Sequence, residues 1–298
     1  MAAPDMLILD GGTGRELQRI GAPFRQPEWS ALALIEAPEF VSRVHQAYID
    51  AGADVITTNS YAIVPFHIGE ERFAEMGASL AGLAGQLARG AADGADRPNG
   101  QSVRVAGSLP PVCGSYRPDL VDLERARRVL GVLIAGLAPF IDHWQAETLS
   151  TMAEAELVAE LVAETGKPLW LSFTLQDEEP GAMPQLRSGE QVREAALLAA
   201  RLGAEALLFN CSQPEVMVAA LDEARSALGT SVIRLGVYAN AFPPMSAEAE
   251  ANAGFSPIRA DLTPEGYAAF ARAWTEAGAS VLGGCCGIGP EHIAVLRG

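Results

Sequence analysis

Short apolar runs alternate with longer amphipathic stretches along the 298-residue chain. The short runs are apolar and rich in β-branched residues, which is typical of buried strands. They predict strands at residues 6–10, 55–59, 103–107, 140–146, 169–174, 206–210, 233–238 and 281–283. The stretches between them, such as LERARRVLGVLIAGL and PEGYAAFARAWTEAG, have the period of helices. Several close on a glycine that can end a helix, namely Gly52, Gly166, Gly203, Gly229 and Gly278.

Eight β-then-α units in a chain of this length predict a (β/α)8 TIM barrel, an α/β fold, rather than an open doubly wound sheet. Two long stretches are irregular. Residues 92–101 precede a strand and are expected to form an exposed connector, and residues 241–265 follow a strand and could fold over the barrel mouth. No linker-like segment divides two cores, so residues 1–298 are expected to form one domain.

The charge of the chain excludes some partners. It has 21 Lys and Arg against 37 Asp and Glu, for a net charge of −16, and this field repels nucleic acid and anionic membrane surfaces. No apolar run approaches the roughly 20 residues of a membrane span, and the first residues lack the pattern of a signal peptide. We therefore expect a cytoplasmic protein that binds neither nucleic acid nor membrane.

Three of the four cysteines fall at predicted strand ends. Cys211 closes the sixth strand, and Cys285 and Cys286 close the eighth, so a barrel brings all three to one rim. Adjacent side chains on a regular strand point to opposite faces, and the glycines at 283, 284 and 287 permit the bend that would aim both sulfurs at one point. The alternative is that these cysteines are buried small apolar residues.

Three thiolates favour zinc and leave its fourth position open, as a catalytic zinc requires. The negative set of ligands makes the ion a poor activator of water, but a bound thiol is still deprotonated. The sequence therefore points to alkyl transfer onto a substrate sulfur, with Cys211, Cys285 and Cys286 as metal ligands and catalytic residues.

Five segments resemble the homocysteine S-methyltransferases, a family that includes the betaine-using and the smaller sulfonium-using enzymes. They are DGGTGRELQRIG, WSALALIEAPEFVSRVHQAYIDAGADVITTNSYA, AETL, FNCSQP and GGCCGIGPEHI. The resemblance runs from Asp10 to the C-terminal PEHIAVL. It implies that Cys211, Cys285 and Cys286 are the zinc ligands.

The same resemblance implies roles for other residues. Asp10 and Glu147 would bind the ammonium of homocysteine, and backbone amides near Gly11, Gly12 and the Thr57–Thr58 turn would receive its carboxylate. The resemblance also places Tyr61 near the metal and Trp29 beside the methyl-donor pocket. Asn210, just before Cys211, could orient the loop that carries Cys211 by hydrogen bonding. The aromatic face of Trp29 could hold an onium group by cation–π attraction.

The resemblance implies a zinc-dependent enzyme that moves a methyl group from a cationic donor to homocysteine and yields methionine. S-methylmethionine and S-adenosylmethionine are the first candidates for the donor, with betaine and dimethylsulfoniopropionate second. Pro110 in GSLPPVCGSYRPDL replaces a glycine that small family members often have, in a loop expected to shape the donor pocket. Because the given sequence ends just after the eighth unit, we expect no C-terminal extension of the kind by which betaine-using members associate, and we expect a monomer or a small homo-oligomer.

Several alternatives stay open at this point. The acceptor could be selenocysteine or another thiol, and a folate or corrinoid carrier would require a separate partner protein. A non-catalytic barrel with a closed zinc site is also possible if Cys113 supplies a fourth ligand. An ordinary loop cysteine, or a redox-sensitive one, is the other interpretation of Cys113.

Overall fold

The computed structural model describes residues 6–97, 100–179, 183–245, 254 and 256–297, and it forms a parallel barrel. Its strands are β1 (Leu7–Ile8), β2 (Val55–Thr57), β3 (Arg104–Leu109), β4 (His143–Leu149), β5 (Leu169–Phe173), β6 (Ala206–Asn210), β7 (Arg234–Tyr238) and β8 (Val281–Leu282). Every neighbouring pair is parallel, in the order β1-β8-β7-β6-β5-β4-β3-β2. A bridge between Leu9 and Val55 joins the two ends, so the predicted (β/α)8 barrel is confirmed.

Helices follow the strands as the periodicity predicts. They are α1 (Thr13–Arg19), α2 (Ser30–Glu36), α3 (Pro38–Asp50), α4 (Pro65–Ile68), α5 (Glu70–Asp93), α6 (Leu123–Leu137), α7 (Met152–Val162), α8 (Val192–Arg201), α9 (Met217–Leu228), α10 (Pro264–Glu276) and α11 (Pro290–Ala294). The five glycines expected after helices all have positive φ, between 55° and 107°. A side chain is strained there, which explains why glycine ends these helices.

The barrel interior is filled rather than open. Side chains from alternating strand positions pack there, including the fully buried Trp170, Leu208 and Val281. A second, larger apolar cluster lies between the strands and the surrounding helices. In a barrel packed this way the concave space for a ligand lies above the carboxyl ends of the strands.

Two strand ends differ from the prediction in a way that matters for the site. β4 was expected at 140–146 but begins at His143, because the N–H of Phe140 still donates to the carbonyl of Leu137 in the turn after α6. It then continues to Leu149, with a shift of register after Ala146. β3 similarly runs on to Leu109. Polar residues expected to follow these strands, Ser108, Glu147 and Thr148, therefore lie within them.

The two irregular stretches are only partly described. Ala92 and Asp93 belong to α5 rather than to a connector, and residues 98–99 lie outside the described residues. Of residues 241–265, positions 246–253 and 255 lie outside them as well. The described parts of that loop reach the barrel mouth, where Phe242, Met245 and Ser256 line a cavity. Among the helices that the structure describes, none has the length and apolar character needed to cross a bilayer.

The close approach of β7 and β8 generates a stability prediction. A Cβ added at Gly236 would lie 2.7 Å from the Cβ of Val281 and 2.8 Å from its carbonyl oxygen. Gly236→Ala is therefore expected to lower the free energy of unfolding by about 1–3 kcal/mol, as overpacking does. Gly131→Ala, in α6 where an added Cβ meets nothing within 4 Å, is the control and should raise it by about 0.5–1 kcal/mol. The free energy of unfolding is measured in urea, and equal changes for the two variants would contradict the prediction.

Candidate active site

Three sulfur atoms meet above the carboxyl ends of β6 and β8. The Sγ atoms of Cys211, Cys285 and Cys286 all lie within 4.8 Å of one another. Cys211 and Cys285, 74 positions apart in the chain, are joined by a disulfide with their Cα atoms 5.7 Å apart. Because the thiolate is the form that binds a metal, the disulfide must be reduced before the three sulfurs act together as ligands.

The backbone around the sulfurs explains how they are aimed. Cys211 itself has φ 50°, an unusual value for a side-chain-bearing residue, and it turns the chain at the end of β6. Of the three glycines near the pair, Gly287 supplies the bend with φ 84°. Gly284 is needed for space instead, because a Cβ there would lie 2.2 Å from Ile288. The glycines were predicted to bend the chain, and only part of that role is seen: Gly287 provides a turn, and Gly284 allows a close approach to Ile288.

Two carboxylates lie in the same cavity. Asp10, only 4% exposed, accepts the N–H of Thr57 at 2.6 Å and its hydroxyl at 2.9 Å. Glu147 accepts the hydroxyl of Ser108 and, at 3.4 Å, that of Tyr238. These bonds hold both oxygens of each carboxylate in place, and both groups line the cavity wall.

Burial makes both carboxyl groups weak acids. Loss of hydration raises the pKa of Asp10 to about 7, and the charge of Glu147 adds to this increase. Loss of hydration also raises the pKa of Glu147 to about 7. Hydrogen bonds from Thr57, Ser108 and Tyr238 oppose the effect without cancelling it. A cation placed between the two groups would favour their ionised forms, so the pair is suited to an ammonium ion.

The cavity collects nearly every residue that the sequence singles out. Its volume is about 200 Å³. The predicted residues that line it are Asp10, Gly11, Gly12, Trp29, Thr57, Thr58, Tyr61, Glu147, Cys211, Cys285 and Cys286. The exception among the described residues is Asn210. Its side chain is buried behind the wall, where it bonds to the backbone N–H and hydroxyl of Thr148 at 3.0 and 2.9 Å.

Comparisons with known proteins decide the family. The family model of homocysteine S-methyltransferase matches residues 7–298. The homocysteine S-methyltransferase of Escherichia coli K12 is 32% identical over 314 aligned residues, covering 98% of this chain and 94% of that protein. The chain belongs to the homocysteine S-methyltransferase family. Its barrel matches the metallated form of E. coli homocysteine methyltransferase MmuM with a TM-score of 0.78 and 31% identity, over 98% of this chain and 96% of that one.

A further relative differs in the acceptor that its name states. The selenocysteine methyltransferase of Astragalus bisulcatus is 26% identical, and the match covers 96% of this chain and 90% of that protein. The chain is thus an enzyme of the homocysteine S-methyltransferase family, with methyl transfer to homocysteine supported by both its relatives and its fold.

Three of the backbone amides expected to receive a carboxylate donate hydrogen bonds within the chain. The N–H of Gly12 donates to Ile288, that of Thr58 to Ala106, and that of Thr57 to the side chain of Asp10. Gly12, Thr57 and Thr58 line the cavity, and the role expected for their amides in binding a carboxylate stays a prediction. The role expected for the amide of Gly11 stays a prediction.

The aromatic residues predicted near the site both line the cavity. Tyr61 forms a 2.6 Å hydrogen bond with Ser115, and burial raises its pKa well above the ordinary value. Trp29 packs edge-on against Phe24, with ring centroids 5.7 Å apart. Cys113, in contrast, lies outside the group of converging sulfurs among the described residues and packs partly buried against the apolar core. It is therefore not positioned as a fourth ligand.

Sequence reasoning missed two basic residues of the cavity. Arg15 follows the Asp10-Gly11-Gly12 turn in α1, and His67 belongs to α4; both line the cavity wall. The signal for Arg15 was its place inside the DGGTGRELQRIG segment, only five positions after a site carboxylate. His67 had no such signal. Site residues were expected directly at strand ends, whereas α4 begins several residues after the end of β2.

The raised carboxyl pKa values generate a prediction about pH. A carboxyl whose pKa is raised by folding binds its proton more tightly in the folded chain, so its contribution to stability is full below about pH 4 and is lost as pH rises to about 7. The double variant Asp10→Asn/Glu147→Gln, without metal or ligand, should therefore gain stability relative to the wild type from about pH 5.5 to about pH 7. Urea unfolding at several pH values measures this difference, and a difference independent of pH would contradict it.

Proposed function

We propose that the chain transfers a methyl group from an onium donor to homocysteine and yields methionine, using zinc held by Cys211, Cys285 and Cys286. The observation that supports this most directly is the presence of three converging sulfurs and two buried carboxylates in one cavity. The donor set fits zinc, which prefers sulfur ligands in a tetrahedral arrangement, and three protein ligands leave one position for a substrate. We assign the whole activity to a single domain, residues 1–298.

The carboxylates are proposed to bind the acceptor. Asp10 and Glu147, held by Thr57 and Ser108, receive the α-ammonium of homocysteine in their ionised forms. This contact places the thiol of the substrate toward the cysteines. When bound, zinc stabilises the thiolate form of a sulfur ligand and so supplies the nucleophile at neutral pH.

The aromatic part of the cavity lining is proposed to bind the donor. Trp29, supported by Phe24, offers an aromatic face to a sulfonium or ammonium group. The thiolate sulfur attacks the methyl carbon as the bond to the onium atom breaks, and the departing atom becomes neutral. No proton is needed by that product, so no general acid is required. S-methylmethionine and S-adenosylmethionine are the first candidates, with betaine and dimethylsulfoniopropionate second.

Selenocysteine is a second candidate acceptor. A selenol resembles a thiol in size and ionises more readily, and a relative of this chain is named a selenocysteine methyltransferase. The same two carboxylates would bind its α-ammonium. A non-catalytic barrel with a closed metal site is less well supported, because Cys113 lies outside the converging sulfurs.

The metal ligands can be tested one at a time. After reduction of the disulfide, replacement of Cys211, Cys285 or Cys286 by Ala is expected to lower zinc content to below one tenth of the wild-type value and to abolish methionine formation. Removing one of three thiolate ligands leaves too few to hold the ion. Metal analysis and a methionine assay measure the two effects, and Cys113→Ala should retain both. A ligand variant that kept zinc and activity would refute the assignment.

The ammonium site predicts a change in substrate affinity. Glu147→Gln keeps the shape of the side chain but removes its charge, so KM for homocysteine should rise about 10- to 100-fold, as expected for loss of a charge-assisted hydrogen bond. The matched acceptor 4-mercaptobutanoate lacks the ammonium, and its KM should change much less. Equal changes in KM for both acceptors would show that Glu147 does not bind the ammonium.

A further inference from the structure

Arg15 places a cation on the cavity wall, in a position that the proposed reaction has not yet used. Its guanidinium donates to the carbonyl of Ser256 at 2.6 Å and to the side-chain oxygen of Gln18 at 3.0 Å. These contacts tie α1 to the loop between β7 and α10. The five N–H donors of a guanidinium allow it to bind a carboxylate while keeping such tethers.

The surroundings of Arg15 place it on the sulfur side of the cavity. Its guanidinium carbon lies 5.6 Å from the ring centre of Phe242. The residue before Phe242, Ala241, donates its N–H to the carbonyl of Cys286 at 2.8 Å. Arg15, Phe242 and the Cys286 loop are therefore neighbours through direct contacts.

The paired carboxylates are held by a different set of residues. Asp10 and Glu147 are held by Thr57, Ser108 and Tyr238, which belong to β2, β3 and β7. Burial, these hydrogen bonds and, for Asp10, the charge of Glu147 are what shift the pKa values of the pair. The carboxylates and the guanidinium are thus held by separate sets of contacts, and under the proposed function the donor must approach the sulfurs near the guanidinium.

The charge of Arg15 restricts what that second substrate can be. A donor carrying only an onium charge would be repelled by a nearby guanidinium, whereas a donor that also carries a carboxylate gains a charge-assisted hydrogen bond. A guanidinium is well suited to a carboxylate because its two parallel N–H groups match the two oxygens.

We propose that Arg15 binds the carboxylate of the methyl donor and so selects onium carboxylates over onium compounds that lack a carboxylate. This inference rests on the proposed function, since it assigns a specificity residue to the same reaction. The carboxylate takes no part in bond changes. The acceptor thiolate forms a new S–CH3 bond, the bond from that methyl to the donor's onium atom breaks, and its electron pair neutralises the onium atom.

The test compares donors that differ only in the carboxylate. S-methylmethionine and dimethylsulfoniopropionate are each paired with their carboxamide, and kcat/KM is measured for each with homocysteine as acceptor. The ratio of acid to amide should fall about 10- to 100-fold in Arg15→Met, because the charge-assisted contact is lost. In Arg15→Lys the ratio should fall less, since the charge remains but the paired donors do not.

A matched control separates this effect from the loss of any arginine. Arg43 is exposed on α3, and its guanidinium carbon lies 4.8 Å from the ring centre of Phe40, much as Arg15 lies over Phe242. Arg43→Met should keep the wild-type ratio. Circular dichroism and zinc content establish that each variant is folded and can bind metal. If Arg15→Met does not fold, the proposal is tested with Arg15→Lys alone. A wild-type ratio of acid to amide kcat/KM in Arg15→Lys would then overturn the proposal.

The remaining outcomes are distinct. If Arg15→Met raises KM for homocysteine with every donor while the acid-to-amide ratio stays at the wild-type value, Arg15 serves the acceptor and the proposal is wrong. If the wild type prefers the amides or does not distinguish them, the proposal is also wrong, although the proposed function stands. If the zinc-loaded wild type forms no methionine from any onium donor, the proposed function fails and this inference fails with it.

Discussion

The site depends on a backbone contact between the first and the last strand of the barrel. The N–H of Gly284 donates to the carbonyl of Asp10 at 3.0 Å, and the N–H of Gly12 donates to the carbonyl of Ile288 at 2.9 Å. A Cβ at Gly12 would lie 2.5 Å from the carbonyl oxygen of Cys285, so only glycine allows this approach. The loop bearing a carboxylate and the loop bearing two sulfurs are therefore one rigid unit. The backbone therefore sets the distance between the carboxylate and the two sulfurs. Under the proposed function, this distance favours a substrate whose ammonium and sulfur are separated to match it.

A second constraint follows from placing two carboxylates in a buried wall. Water is removed from both, and hydrogen bonds from Thr57, Ser108 and Tyr238 compensate only in part. The pair is thus poorly stabilised as anions until a cation arrives. Under the proposed function, a bound substrate ammonium relieves this penalty, so part of the affinity for the acceptor comes from a cost already present in the folded chain. An acceptor without the ammonium cannot relieve it.

The sequence predicts those features that depend on the order of elements, and not those that depend on exact register. Alternating patterns identify all eight strands, and parallel strands in a barrel must end at one rim, which is sufficient to bring Cys211 to Cys285. The extension of β4 through Glu147 was not predictable, because it results from a local shift of pairing with β5. The internal partner of the Gly12 amide is likewise fixed by a residue 276 positions away, Ile288. The periodicity of the sequence does not reveal contacts between residues so far apart in the chain.

Under the proposed function, the charges of the cavity also explain how the product departs. Before transfer, the donor's onium group is attracted by the aromatic face of Trp29 and by the negative sulfurs. Transfer removes that positive charge while the carboxylate near Arg15 stays. The product therefore loses its attraction to the reacting centre but keeps its contact at the wall. If Arg15 binds the donor as proposed, the onium contact exists only before transfer and the guanidinium contact exists throughout. Arg15 would then select the donor, and the loss of charge would favour release after the methyl has moved.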